Sequence, residues 1–266
     1  MSDSIPVTRR TALLTLATFS AVTTGCRPQP RHRAPLTFVL VHGAWHGGWC
    51  WKKVVPLLRA DGHQVHTPTL TGLGERRHLA SPQVNLSTHI QDVTAVLDFE
   101  DLHDVVLVGH SYAGFVIAGV AAQAKARVGH VIFLDAFMPE DGKSLLDYSP
   151  LPPGFNDVVQ GDGWRLPVPF TVADFGVRDP IDVAWVTPKI TDQPIATFME
   201  ALKLPADSFA GLRTSYIRTT DGEPFEPAAT RAAAAGFNVS EMTDAGHDVM
   251  ITKPRELVTR LVELSS

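Results

Sequence analysis

The stretch Val105-Val106-Leu107-Val108-Gly109-His110-Ser111-Tyr112-Ala113-Gly114 decides the reading of this chain. Its first four residues are aliphatic and mostly β-branched, which suits a buried strand, and the residues after Tyr112 are small and alanine-rich, which suits a helix. A strand that turns at once into a helix brings the two backbones nearly into contact. The positions two before and two after the central residue of the turn must then be small. Gly109 and Ala113 meet that demand, and Gly114 adds clearance. A serine at the centre of such a turn, here Ser111, stands with its hydroxyl clear of the strand, which is the geometry of a nucleophile elbow.

Outward from the elbow, short β-branched runs alternate with longer stretches of helical period. Strands are expected at residues 36–41, 64–67, 104–108, 128–134, 215–218 and 238–242, and helices at 49–60, 87–99, 112–124, 227–235 and 254–264. That alternation is how a mostly parallel sheet flanked by helices reads, and the chain holds no internal repeat. Residues 136–205 differ. They carry 10 of the 20 prolines and eight aromatic residues, from Phe137 to Phe198. Proline at that density breaks long helices, and bulky side chains among short helices suit an inserted helical lid over a pocket.

Composition narrows the class. With 266 residues, 44% of them apolar and 19% charged, the chain can bury a sizeable core and is neither disordered nor fibrous. Length allows two domains, but the element pattern calls for one over residues 34–266. The two cysteines, Cys26 and Cys50, supply neither a disulfide framework nor a four-ligand zinc site. Residues 1–33 hold five arginines and one aspartate, so residues 34–266 hold 18 basic and 27 acidic groups, a charge that gives nucleic acid no footprint. Thr8-Arg9-Arg10, an uncharged run over 11–22 and small residues up to Gly25-Cys26 have the shape of an export signal, too short to span a bilayer. The paired arginines give it a twin-arginine flavour, and Gly25-Cys26 resembles the end of a bacterial lipoprotein signal, with Cys26 as the lipidated residue. Thr23 departs from the larger aliphatic residue usual there. Residues 27–35, rich in Pro and Arg, read as a linker. An exported protein, periplasmic, membrane-anchored or extracellular, is the expectation, and a cytoplasmic one if the leader does not function.

A serine hydroxyl needs a base to take its proton and an acid to orient that base. In folds with this elbow, the chain order is serine, acid, histidine. Of eleven histidines only His130 and His247 follow Ser111, and His130 begins a strand at the end remote from the elbow. His247, in Ala245-Gly246-His247-Asp248, is the base. For the acid, Asp221 follows the 215–218 strand in Thr219-Thr220-Asp221-Gly222, and Asp135, at the end of the strand after the elbow helix, is its rival. Asp221 is preferred. Asp244 and Asp248 stand too near His247 in sequence to support its ring from behind.

The developing oxyanion needs two donors. One is the backbone N–H of Tyr112; the other comes from the loop after the first strand, Val41-His42-Gly43-Ala44-Trp45-His46-Gly47-Gly48, with Ala44 as donor. His42 and His46 lie on a Gly-rich loop with no third ligand, so no metal is expected. Gly72-Leu73-Gly74 is not a dinucleotide loop, because Arg77 replaces the third glycine and the second strand precedes it. No cofactor is called for.

From residue 38 to residue 264 the chain resembles the α/β-hydrolase group that contains plant methylesterases of the salicylic-acid-binding type, bacterial carboxylesterase relatives and plant hydroxynitrile lyases. The resemblance rests on the run from Phe38 to Trp49, the elbow at Ser111, Asp135-Ala136-Phe137-Met138-Pro139, Thr220-Asp221 and Gly246-His247. It implies Ser111 as nucleophile, His247 as base, Asp221 as acid, and the amides of Ala44 and Tyr112 as oxyanion hole. Similar lyases carry threonine in place of Gly43 and a cyanide-holding lysine in place of Asp248. A carboxylate there would repel cyanide, so the expectation is hydrolysis of a small ester with an apolar or aromatic portion. The alternative from another class is a non-catalytic small-molecule receptor on the same fold. Phe155, Trp164, Phe170, Phe175, Trp185 and Phe198 of the lid are the source of the aromatic preference.

Overall fold

Strand β1 (Thr37–Val41) is apolar at every position after the first because both faces of its sheet are covered. Val39 and Val41 join one buried cluster, and Phe38 and Leu40 join another on the opposite side, the period-two alternation of a strand. The same split runs through β3 (Val105–His110) and β4 (Val128–Leu134). With β2 (Gln64–His66), β7 (Arg213–Thr219) and β8 (Asn238–Met242), the sheet order is β2-β1-β3-β4-β7-β8, with all neighbours parallel. Two-residue strands β5 (Arg165–Leu166) and β6 (Gln193–Pro194) form a separate antiparallel pair.

This computed structural model describes residues 1–2, 34–150, 163–222 and 225–266. Most of the expected export signal, including Cys26, residues 27–33 of the expected linker, and Phe155 fall outside the described residues. Contacts divide the chain into residues 1–33 and residues 34–266. Among the described residues no helix is long and apolar enough to cross a membrane.

Helices α2 (Leu86–Phe99) and α3 (Ala113–Gln123) pack on the Val39 face, while α1 (Val55–Ala60) and the C-terminal helix Pro254–Leu264 pack on the Phe38 face. Asn85 caps α2 by accepting from the Thr88 N–H at 2.9 Å. The expected helix over 49–60 is instead a 3₁₀ turn (Gly48–Lys53) followed by α1. Pro56 explains the break: lacking an N–H and clashing with the preceding turn, it is tolerated only in a first helical turn.

Two topological facts place the site. The chain passes from β1 to β2 on one side and then returns to β3 on the other, so the loops after β1 and β3 part and leave a crevice at the strands' C-terminal ends. The chain also leaves the sheet after β4 and rejoins it at β7 directly alongside, with His130 opposite Arg213. The segment between them is an excursion from the sheet. Its described part holds β5, β6, α4 (Pro180–Val186) and α5 (Ala196–Met199), short elements as its prolines require.

Candidate active site

Ser111 sits immediately beyond β3 with φ of +56°, a left-handed backbone that costs a β-substituted residue on the order of 1 kcal/mol. The surroundings hold it there. Its N–H donates to Leu134 at 3.3 Å, and its carbonyl accepts from Gly114 and Phe137, both at 3.1 Å. The small neighbours are obligatory: a Cβ on Gly109 would lie 2.8 Å from the Ala113 carbonyl oxygen, and one on Gly114 would collide with the Phe137 carbonyl.

His247 follows β8, and its Nδ1–H donates to Asp135 Oδ2 at 2.7 Å. Asp135, not Asp221, is therefore the acid beside the histidine. Asp135 is buried, and its Oδ1 accepts from the Thr219 N–H at 3.0 Å while its own N–H donates to Ile217 at 2.7 Å. Asp221 points elsewhere, with its carboxylate 41% exposed and bonded to Arg178 at 2.6 Å. The reason is register. His110 pairs with Leu134, so Asp135, the next residue, stands level with Ser111 on the adjacent strand. Asp221 leaves one strand farther out and two residues past the strand's end.

The His247 ring lies parallel to Phe225 at 5.0 Å, with Phe175 at 6.0 Å and the His110 ring at 4.4 Å. His110 Nε2–H donates to the His247 carbonyl at 2.9 Å, which ties the His247 loop to the residue before Ser111. Among the described residues no hydrogen bond joins the Ser111 hydroxyl to His247, a contact that commonly tightens only around bound substrate.

The loop after β1 is fixed peptide by peptide. His42 accepts from the Leu70 N–H through Nε2 at 3.0 Å, so Nδ1 carries its proton and donates to the Gly43 carbonyl at 2.8 Å. A trans peptide points its N–H opposite to its carbonyl, so anchoring Gly43 O aims the Ala44 N–H the other way. Gly43 itself lies against the elbow, where an added Cβ would stand 2.9 Å from Ser111 Cβ. The amides of Ala44 and Tyr112 donate to no other group among the described residues. Tyr112 is held through its hydroxyl, which donates to His89 Nδ1 at 2.9 Å.

His46 donates from Nδ1 to the Ala44 carbonyl at 2.7 Å and from Nε2 to Asp248 Oδ2 at 3.0 Å. Both ring nitrogens of His42 and of His46 are thus engaged, which leaves no lone pair for a metal. Burial opposes charge on both partners, yet the Asp248 carboxylate raises His46 above its ordinary value and His46 holds Asp248 below its own. The pair is an imidazolium and a carboxylate, fully buried. This corrects the expectation that Asp248 faces substrate: its charge is turned to His46, on the loop after β1.

Burial favours the neutral form of three further histidines. Burial pushes His42 down to about 3, and His89 and His130 to about 4. These folded-state values lie below the unfolded value of about 6.5, so the unfolded chain binds more protons and their stabilisation, complete above 6.5, is lost as pH falls. The His46 contribution is already complete below 6.5 and that of Asp248 persists down to about 3.9, so neither offsets the loss. The thermal midpoint is expected to drop steadily from pH 6.5 to pH 4. A midpoint that stayed level or rose over that window, followed by circular dichroism, would contradict neutral burial.

Aromatic residues of the β4–β7 segment gather over the site in part. Phe175 touches His46 and His247, Phe170 touches Phe175 and Trp45, and Phe198 touches Trp45 and Tyr112. Trp185 lies instead on Trp49, and Trp164 under Arg165. Phe225, parallel to the His247 ring, was not legible in the sequence; nothing in its local pattern sets it apart from a core phenylalanine.

A model of the alpha/beta hydrolase family matches residues 38–260. A carbendazim hydrolyzing esterase from Nocardioides sp. is 40% identical over 241 residues, which cover 85% of this chain and 98% of that protein. Salicylic acid-binding protein 2 of Nicotiana tabacum is 27% identical over 86% of this chain and 96% of its own. Among solved structures, an extracellular alpha/beta-hydrolase from a Paenibacillus species superposes with a TM-score of 0.73 at 27% identity, covering 86% of this chain and 99% of that one.

Proposed function

The chain belongs to the alpha/beta hydrolase family, and on that premise we propose that it hydrolyses small carboxylic esters through an acyl-enzyme on Ser111. Esterase-type hydrolysis is what its relatives' names describe, and the observation that carries the finer reading is the 2.7 Å bond that His247 Nδ1–H donates to Asp135 beside the elbow. With Nδ1 protonated and bound to Asp135, the free lone pair of His247 is on Nε2. That atom takes the Ser111 proton as Oγ attacks the ester carbonyl. The negative charge that develops on the carbonyl oxygen is met by the N–H groups of Ala44 and Tyr112. The His247 proton then passes to the leaving alcohol, and water, deprotonated by the same ring, releases the acid and restores Ser111.

The rings of Phe170, Phe175, Phe198 and Phe225 support an ester with an apolar or aromatic portion, and residues 136–205 are read as the lid over it. Residues 1–33 are read as an export leader on sequence alone. Incubation with p-nitrophenyl acetate, rapid quenching and peptide mass analysis is the test. An acetyl group is expected on the peptide carrying Ser111 and on no peptide of Ser111→Ala; turnover with acylation elsewhere would end this reading. A panel of p-nitrophenyl esters of increasing chain length beside aryl methyl esters then separates a general carboxylesterase from a methylesterase.

A further inference from the structure

We infer that Gln193, in the segment between β4 and β7, is a positioning residue for the oxyanion hole, and that this segment sets the direction of the Ala44 N–H. The inference rests on the serine-hydrolase reading above. Ala44 is the pivot between two rigid peptide planes. The plane before it is anchored by His42 at the Gly43 carbonyl, 2.8 Å away. The plane after it is gripped at both ends: its carbonyl accepts from His46 at 2.7 Å, and its N–H, that of Trp45, donates to Gln193 Oε1 at 3.1 Å.

Trp45 cannot hold this geometry unaided. Its φ is +60°, a left-handed backbone that a bulky residue adopts only when its surroundings impose it. The surroundings that impose it belong to the β4–β7 segment. Besides Gln193, the Thr191 N–H donates to the Trp45 carbonyl at 3.0 Å, and the indole Nε1–H donates to the Leu166 carbonyl at 3.0 Å. Every polar group of Trp45 is therefore bonded to one excursion from the sheet. Gln193 is fully buried, and its own Nε2 donates to Thr197 Oγ1 at 2.7 Å, which in turn donates to the Pro194 carbonyl at 2.6 Å. The glutamine therefore has one available orientation, with its oxygen toward Trp45. Phe198, in the same short helix as Thr197, packs on both Trp45, which follows one donor residue, and Tyr112, which is the other.

Gln193→Met keeps the side-chain length and removes the acceptor. Losing an oxyanion donor outright costs about 10²–10³ in kcat, so tilting one is expected to cost about 10- to 100-fold, with KM changed less than about threefold. The readout that a merely structural role would not move is a trifluoromethyl ketone, which adds to Ser111 and places a negative oxygen in the hole. Its affinity is expected to fall in step with kcat, while the matching alcohol, which forms no oxyanion, binds as before. Thr197→Val, which releases Gln193 without touching Trp45, is expected to shift kcat and ketone affinity the same way by a few-fold, and it carries the test if Gln193→Met does not fold. Unchanged kcat, or equal weakening of ketone and alcohol, would overturn the inference. If Ser111→Ala abolishes turnover while the Gln193 and Thr197 variants behave as the parent, this inference alone fails; if Ser111→Ala retains turnover, the serine reading fails with it.

Discussion

Ser111→Ala is expected to lower kcat for p-nitrophenyl esters by on the order of 10⁶-fold while leaving the thermal midpoint within a few degrees of the parent. The two halves of that result have separate causes. The rate falls because alanine has no oxygen to attack the ester carbonyl, and the Tyr112 hydroxyl is held by His89. What survives is the contribution of the Ala44 and Tyr112 amides and of the binding site, on the order of 10³–10⁴ over the reaction in water. Stability persists because the Ser111 backbone, not its hydroxyl, makes the bonds that hold the elbow: the N–H to Leu134 and the carbonyl to Gly114 and Phe137. Alanine keeps the same Cβ against Gly43 and bears the same left-handed backbone. A variant that still turned over ester within tenfold of the parent would sink the mechanism, and one that lost both activity and midpoint would show that the hydroxyl has a structural role not seen in its contacts.

Much of this site is legible in the sequence because its demands are local. A nucleophile elbow must have small residues at Gly109 and Ala113, whatever the rest of the chain does, since the contact they relieve is between a strand and the helix that immediately follows it. The strands read well for a related reason: a parallel sheet covered on both faces leaves largely apolar runs, and residues 128–134 coincide with β4; residues 238–242 coincide with the edge strand β8, where only Val239 and Met242 are apolar. The partners of charged groups are settled differently. Asp248 is one residue from His247 in sequence, yet its carboxylate reaches His46, on the loop after β1. Gln193 carries no motif at all, and its role comes from meeting Trp45 across 148 positions of chain. Spacing identified the loops that converge; it could not tell which of two aspartates at neighbouring strand ends would face inward, because Arg178, the residue that draws Asp221 outward, lies in the low-periodicity segment between β4 and β7.

That choice makes the sharpest second test. Asp135→Asn is expected to lower kcat by about 10⁴-fold, the size of effect seen where a triad aspartate becomes asparagine, and Asp221→Asn to change it by no more than a few-fold. The argument for the first runs through hydrogen positions. The Thr219 N–H donates to Oδ1 of Asp135 at 3.0 Å, so the new amide must keep its oxygen on that side and turn its NH₂ toward His247 Nδ1. An NH₂ group facing Nδ1 demands a lone pair there. The imidazole proton then moves to Nε2, the atom that must accept the Ser111 proton, and the base is lost although every heavy atom stays near its place. Asp221 is a different case. Its bond to Arg178 lies between side chains 41% and 66% exposed, where screening leaves an ion pair well under 1 kcal/mol, and it touches neither His247 nor the elbow. Steady-state kinetics on the two single variants decides between them. Loss of activity in Asp221→Asn with Asp135→Asn spared would return the acid's role to the strand-end loop after β7 and require the histidine loop to rearrange when substrate binds.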